Sequence, residues 1–352
     1  MNAPAAVPVD VSTSVPAEVW DLVYRLDSHA LPTQSPRWAR AITASGGYYD
    51  VSRLYAFADG RRAILPLFEG AGGPRKLRSR LSPPSAWGFG GLIASDPLGV
   101  AHLSAILDDV IDNTTFRVHV RPNPLEAGLW KAAAGGRWIA VPRLAHVLDL
   151  RPGFDKIWAG FRSSTRGQIR KAERAGLDVK SGCEPSLVEA FHGLLMRSVD
   201  RWARRQHEPL ALARWRARGR DPIDKFNTIA KALGPACQFR VAYHNGEPAA
   251  AILVLQERNA HYTRGAMDER LAAPTSANYL LHRLAIEAAC NAGCATYHMG
   301  ETTAGGTLAR FKEQFGAVAT PYAEYAFERL PLYWLKDRAR TTVKRMIGFR
   351  DA

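Results

Sequence analysis

Residues 237–268, CQFRVAYHNGEPAAAILVLQERNAHYTRGAMD, restrict the fold more than any other stretch. Three strand-like runs follow one another with almost nothing between them. Asn245-Gly246 separates the first two, and this dipeptide tolerates the positive φ angles of a tight hairpin. A second turn is expected near Asn259. The spacing predicts three consecutive antiparallel strands.

Helices and strands alternate on both sides of this meander. HVLDL reads as a strand, FDKIWAGFRSSTRGQIRKAERAG as one long helix, LDVKSG as a strand and SLVEAFHGLLMRSVDRWARR as a helix. Residues 205–223 read as a loop or an excursion between helix and strand. After the meander, SANYLLHRLAIEAACNAG predicts an amphipathic helix, with Ser276 as its N-cap and Gly293 as its stop. ATYHMG, LARFKEQFG and AEYAFER then read as strand, short helix and strand. The first half repeats this grammar more weakly. Two helices come first, the second capped by Ser35 with Pro36 in its first turn. A hairpin at Asp59-Gly60, a helix in HLSAILDDVID and a strand in FRVHV follow.

A chain of 352 residues suits two domains, since domains run to about 150 residues. The expected division is a flexible tail at 1–15, domains at 16–145 and 146–330, and a basic amphipathic helix at 331–352. That last helix is a candidate for peripheral contact with an anionic membrane. Lys and Arg number 47 against 33 Asp and Glu, a net charge of +14. Such an excess points to polyanionic partners. Cys183, Cys237, Cys290 and Cys294 read as free thiols, because no second pair stands at zinc-ligand spacing. No metal site is expected. The N-terminus lacks the basic start and apolar core of a signal peptide, and no apolar run reaches about 18 residues. A cytoplasmic location is expected.

Four motifs then suggest a family. They are Gln34 to Trp38 (QSPRW), Phe161 to Val179 (FRSSTRGQIRKAERAGLDV), Ala277 to Leu281 followed by Ala288 to Gly293, and Leu308 to Lys312 with Phe315-Gly316. In this order they resemble the FemAB-like proteins, tandem Gcn5-related (GNAT) acyltransferases. The family includes aminoacyl-tRNA-dependent enzymes that build peptidoglycan cross-bridges. The resemblance implies an α/β (α+β) chain of two tandem GNAT-like domains, each a mixed, mainly antiparallel sheet flanked by helices. This sequence departs from the pattern in two strands: Tyr262-Thr-Arg264-Gly265 stands for Y-x-Y-G, and His298 stands where an acidic residue is common.

Amide formation needs a group that stabilises an oxyanion and a path for the amine's proton. The resemblance makes Lys312 the first candidate, because the family's F-K lysine is implicated at the acceptor phosphates and reacting carbonyl. Glu301 and His298 are the candidate proton acceptors. Phe311, Tyr262, Arg264, Tyr279 and Trp38 are candidate substrate contacts; Tyr262 and Arg264 are expected on one strand face, two residues apart.

Arg162, Arg166, Arg170 and Lys171 form a basic ridge opposite an apolar stripe. Like charges four residues apart repel on a helix, and arginine suits bidentate phosphate contact. The ridge is therefore the candidate site for donor phosphates. A second basic stretch, 197–220, interleaves Trp202 and Trp215, which read either as base-stacking surfaces or as core anchors. Segment 268–282 holds no glycine, unlike the loop that cradles CoA pyrophosphate in simpler enzymes of this fold. The reading is thus an amide-forming aminoacyltransferase with aminoacyl-tRNA as donor and an amine acceptor, a peptidoglycan precursor or a natural-product intermediate. No cofactor is expected beyond the donor substrate. An acyl-CoA-dependent N-acyltransferase acting on a cell-surface sugar or secondary metabolite is the alternative. A non-catalytic nucleic-acid or membrane-surface binding protein is the third reading.

Overall fold

A computed structural model describes residues 9–72, 78–112 and 115–330. The expected helix at 331–352 lies outside them. By internal contact the chain forms two compact units. Glu301–Ala309 and Ala319–Leu330 group with the first unit rather than with the residues around them. The second domain expected at 146–330 is therefore not one uninterrupted segment.

The first unit begins with β1 (Val9–Ser12), α1 (Ala17–Leu26), α2 (Pro36–Ala44), β2 (Tyr48–Asp50), β3 (Arg53–Phe57) and β4 (Arg62–Leu65). There follow β5 (Phe68–Gly70), β6 (Ser79–Ser82), β7 (Ile93–Ala94), α3 (Val100–Val110), β8 (Arg117–Val120), α4 (Ala127–Ala133) and β9 (Ile139–Asp149). One sheet is four-stranded, in the order β1-β3-β4-β7. The expected free tail fails at β1: Val9 to Ser12 pair antiparallel with Phe57 to Leu54. Val9 and Val11 pack on the first unit's core, which explains why this short segment is ordered. Ser35 caps α2 as expected, accepting from the Trp38 backbone N–H at 3.2 Å.

The second unit carries α5 (Phe154–Gly160), α6 (Ser163–Arg174), β10 (Asp178–Gly182), α7 (Pro185–Arg205), α8 (Leu210–Arg220) and α9 (Ile223–Leu233). The meander is β11 (Cys237–His244), β12 (Glu247–Gln256) and β13 (Ala260–Met267), and α10 (Glu269–Thr275), α11 (Ala277–Asn291) and β14 (Thr296–Thr302) follow. The chain continues through α12 (Thr307–Glu313) and β15 (Val318–Glu328), which returns to the first unit's sheet beside β8. In the second unit the strand order is β10-β11-β12-β13-β14. The pairs β10–β11, β11–β12 and β12–β13 are antiparallel and β13–β14 is parallel. Asn245 and Gly246 both take positive φ, 51° and 81°, as the hairpin requires. One face of the sheet buries Ala250, Ile252 and Val254 against Ile157, Ile169, Leu281 and Ile286 of α5, α6 and α11. The other face packs Phe239 edge-on against Phe191 of α7 and Phe226 of α9.

Three local expectations change. The long helix over 154–176 breaks at Phe161, whose extended backbone separates α5 from α6. The stretch 205–223 is a helical excursion rather than a loop: α8 forms there and buries Ala213 and Ala217 beside Val199 and Ala203 of α7. Ser276 stands at the N-cap position of α11 as expected, but with a left-handed φ of 56° and no side-chain cap; its hydroxyl donates instead to Gln168 Oε1 at 2.5 Å.

Candidate active site in the second unit

β13 and β14 share a short paired register, Ala260↔Tyr297 and His261↔His298. Just beyond it β13 bulges. Leu253 pairs with Arg264 and Val254 with Tyr262, so Thr263 is the extra residue. This overturns the expected common face: Tyr262 and Arg264 now oppose consecutive residues of β12 and point to opposite sides of the sheet. Tyr262 meets His282 of α11 edge-on at 4.8 Å, whereas Arg264 reaches Asp221 between α8 and α9 at 3.4 Å.

Lys312 comes to the place where the β13–β14 register ends. A Cβ added to Gly300, which sits at φ +74°, would lie 3.5 Å from the Tyr262 carbonyl oxygen and 3.8 Å from Lys312 Nζ. The lysine is 2% exposed. Phe311 stands beside it and contacts Tyr279 at 5.1 Å and His282 at 5.4 Å between ring centroids. Burial, reinforced by the Lys312 ammonium, lowers His282 to about 3, so its ring is neutral at physiological pH. The same two causes, with His298 and Arg264 contributing, push His261 well below the ordinary histidine value. Burial raises the Tyr262 hydroxyl to about 12, which keeps it protonated. The site thus gathers a buried ammonium, a phenol O–H and neutral imidazoles. Such a set can stabilise negative charge that develops on a reacting oxygen.

Two distant motifs meet here. The Arg162 backbone N–H donates to the Gln314 carbonyl at 3.1 Å, and Thr165 Oγ1 donates to Gln314 Oε1 at 3.3 Å. Phe161 packs edge-on against Phe315 at 5.1 Å. The start of α6 is thereby fixed to the end of α12, two residues past Lys312. Of the ridge, Arg162, Arg170 and Lys171 are exposed. Arg166 is partly spent on structure, donating to the Ala159 carbonyl at 3.0 Å and to that of Phe161. These are carbonyls at the C-terminal end of α5, where a cation also suits the helix dipole.

The remaining candidates lie elsewhere. His298 is fully buried opposite His261, their rings 6.4 Å apart, in the paired part of the two strands. Glu301 groups with the first unit, where it accepts a hydrogen bond from the Tyr322 hydroxyl. Near it Glu324 binds Arg121 at 2.6 Å, Arg143 at 3.0 Å and His119 at 3.3 Å. Burial alone would raise the Glu324 carboxyl, but the hydrogen bond from His119 and the Arg121 and Arg143 guanidiniums hold it well below the usual range. Trp38 is buried in the first unit, its indole N–H donating to the Trp87 carbonyl at 3.1 Å. Gln34 of the same motif holds the loop carbonyls of Gly90 and Leu92 at 2.9 and 3.0 Å.

Sequence reasoning missed the pair behind Arg264. Asp221 is buried and contacts Lys225 Nζ at 2.9 Å, Arg220 at 2.8 Å and Arg264 at 3.4 Å. Burial would raise its pKa, yet Arg264, Lys225 and Arg220 outweigh that and bring it to about 2. Burial lowers Lys225 to about 8 despite its acidic partner. Nothing marks a lone acid at the end of an arginine-rich helix as a hub, and only the bulge brings Arg264 to it. Among the described residues, no group of three or more His, Cys, Asp or Glu is arranged to hold a metal ion, and no helix is long and apolar enough to cross a membrane.

Residues 159–313 match the family model described as an acetyltransferase (GNAT) domain. The crystal structure of FemX aligns over 93% of this chain and 99% of its own, with a TM-score of 0.66 at 13% identity. A conserved protein of unknown function from Bacteroides thetaiotaomicron VPI-5482 aligns over 91% of this chain and 98% of its own, at TM-score 0.53 and 10% identity. A tandem GNAT protein from the clavulanic acid biosynthesis pathway covers 92% of this chain and 99% of its own, at TM-score 0.48 and 13% identity. No curated protein matches the sequence. The matched segment is similar to an acetyltransferase (GNAT) domain, and the likeness to FemX is one of fold.

Proposed function

We propose that this protein forms an amide bond by moving an aminoacyl group from aminoacyl-tRNA to an amine acceptor, at the end of the β13–β14 register. The observation that carries the reading is Lys312, buried beside Tyr262 and Gly300 and tied through Gln314 to the basic helix α6. Lys312 and the Tyr262 hydroxyl donate to the carbonyl oxygen as the amine attacks, and the tRNA ester oxygen departs. Arg162, Arg170 and Lys171 hold donor phosphates. Among the described residues these side chains have no acidic partner, which leaves them open to phosphate. A dedicated base is not required, because a group of the donor or acceptor can take the proton. The family resemblance suggests a peptidoglycan precursor or a natural-product intermediate as acceptor, and the work is cytoplasmic.

A second reading, transfer from acyl-CoA, is favoured by the acetyltransferase description of the matched segment. Against it, segment 268–282 folds as α10 and the start of α11 with no glycine. Mass spectrometry of small amines from a lysate, incubated with protein and either charged tRNA or acyl-CoA, separates the two. An aminoacyl mass increment lost on RNase treatment supports the first reading, and an RNase-indifferent acyl increment from acyl-CoA alone overturns it.

A further inference from the structure

The surface formed by α7 and α8 is not used by the chemistry above, and it has unusual exposed residues. Trp215 is 72% exposed and Trp202 is 38% exposed. The Arg201 guanidinium lies 5.8 Å from the Trp202 ring centroid. Arg204 and Arg218 are exposed; Arg204 stands near Asp200, which Arg214 already holds at 2.6 Å, and Arg218 has no acidic partner among the described residues. Between the helices lies a cavity of about 240 Å³, with Trp202, Gln206, Glu208, Arg216 and Arg220 in its lining. The Glu208 side chain is 3% exposed and binds Arg216 through Oε2 at 2.6 Å. Its other oxygen, Oε1, has no hydrogen-bond donor among the described residues.

We propose that the α7–α8 surface binds single-stranded nucleic acid, and that the cavity takes one amino-bearing base against Glu208. An ionised carboxylate only accepts hydrogen bonds, so Oε1 calls for an N–H donor. Cytosine N4 and adenine N6 supply one, while uracil presents carbonyl oxygen in the same place. Trp202 and Trp215 offer ring faces to bases, and Arg204 and Arg218 meet the phosphates. A lipid surface fits less well. The buried residues of α8 are Ala213 and Ala217, and its outward side mixes Arg214, Trp215 and Arg218 without an apolar stripe. A second copy of a chain carrying +14 would be repelled.

The identity of the strand rests on the donor reading above. The 3′ end of tRNA is a single-stranded CCA, and all three of its bases carry exocyclic amines. The test uses the full chain and short fluorescein-labelled RNAs ending in CCA or in UUU, read by anisotropy. Wild type is expected to bind the CCA RNA about tenfold more tightly than the UUU RNA. Glu208→Gln should abolish that preference. Trp215→Ala, at a site too exposed to disturb folding, should weaken both RNAs about tenfold. Equal binding by wild type and Trp215→Ala, without base preference, overturns the proposal. So does loss of binding to phosphatidylglycerol vesicles in Trp215→Ala while RNA binding stays intact. Residue-dependent RNA binding without transfer from charged tRNA leaves this surface standing and removes the donor reading. RNase-sensitive transfer with unaltered RNA binding in both variants does the reverse.

Discussion

The Tyr262 hydroxyl lies directly over Gly265: a Cβ built on Gly265 would come within 2.2 Å of that oxygen. The bulge at Thr263 brings the two residues together, and the missing side chain lets the phenol sit against the strand. Gly265→Ala should therefore displace the Tyr262 ring, which lies edge-on to His282. The expected cost is about 1–3 kcal/mol of stability, the range for overpacking a filled interior. Transfer should fall more than stability does, and denaturant unfolding beside initial rates checks both.

Arg166 and its ridge neighbours should separate by experiment. Arg166→Ala removes the donors to the Ala159 and Phe161 carbonyls and should cost about 1–2 kcal/mol of stability. Arg170→Glu with Lys171→Glu should leave the fold within about 0.5 kcal/mol. The double variant should weaken tRNA binding and flatten its dependence on salt, since fewer phosphates are neutralised. Melting curves and salt titrations of tRNA binding measure the two effects.

Asp221 holds Arg264, Lys225 and Arg220, and its loss leaves Lys225 buried without a counter-ion. Asp221→Asn should destabilise by about 3–5 kcal/mol. The native carboxyl is depressed to about 2 from an ordinary 3.8. Its contribution is thus complete above pH 3.8 and gone once the pH falls below about 2. Acid titration of stability should show that loss in wild type and not in Asp221→Asn.

His282 should make stability fall at milder acidity. Its folded value is about 3 against 6.5 in the open chain, so the unfolded state binds the extra proton between them. Stability should decline as pH drops from 6.5 toward 3. His282→Gln should shallow that decline, as read from denaturation midpoints at a series of pH values.

Much of the fold was legible because its punctuation is local. Asn245-Gly246 writes a hairpin wherever it stands, and Ser35-Pro36 starts a helix for reasons confined to a few atoms. The break at Phe161 was invisible, because the apolar stripe from Phe154 to Ile169 runs straight through it. The helix α8 was hidden by its arginines, since two buried alanines make a weak periodic signal. At the site, the motif carrying Lys312 was readable by resemblance alone. The bulge that turns Arg264 toward Asp221 depends on strand register, which no single segment records. Glu301 illustrates the same limit: it is three residues from His298 in sequence but belongs to the other unit.

Lys312 at the end of the β13–β14 register is the centre of the proposed chemistry, and its removal is the most direct test. Initial rates of label transfer from charged tRNA to the acceptor would be compared for wild type and Lys312→Ala, with matched circular dichroism spectra. A loss of about 100-fold or more in rate, with tRNA binding retained, is the expected result. An unchanged rate in the folded variant would contradict the assignment.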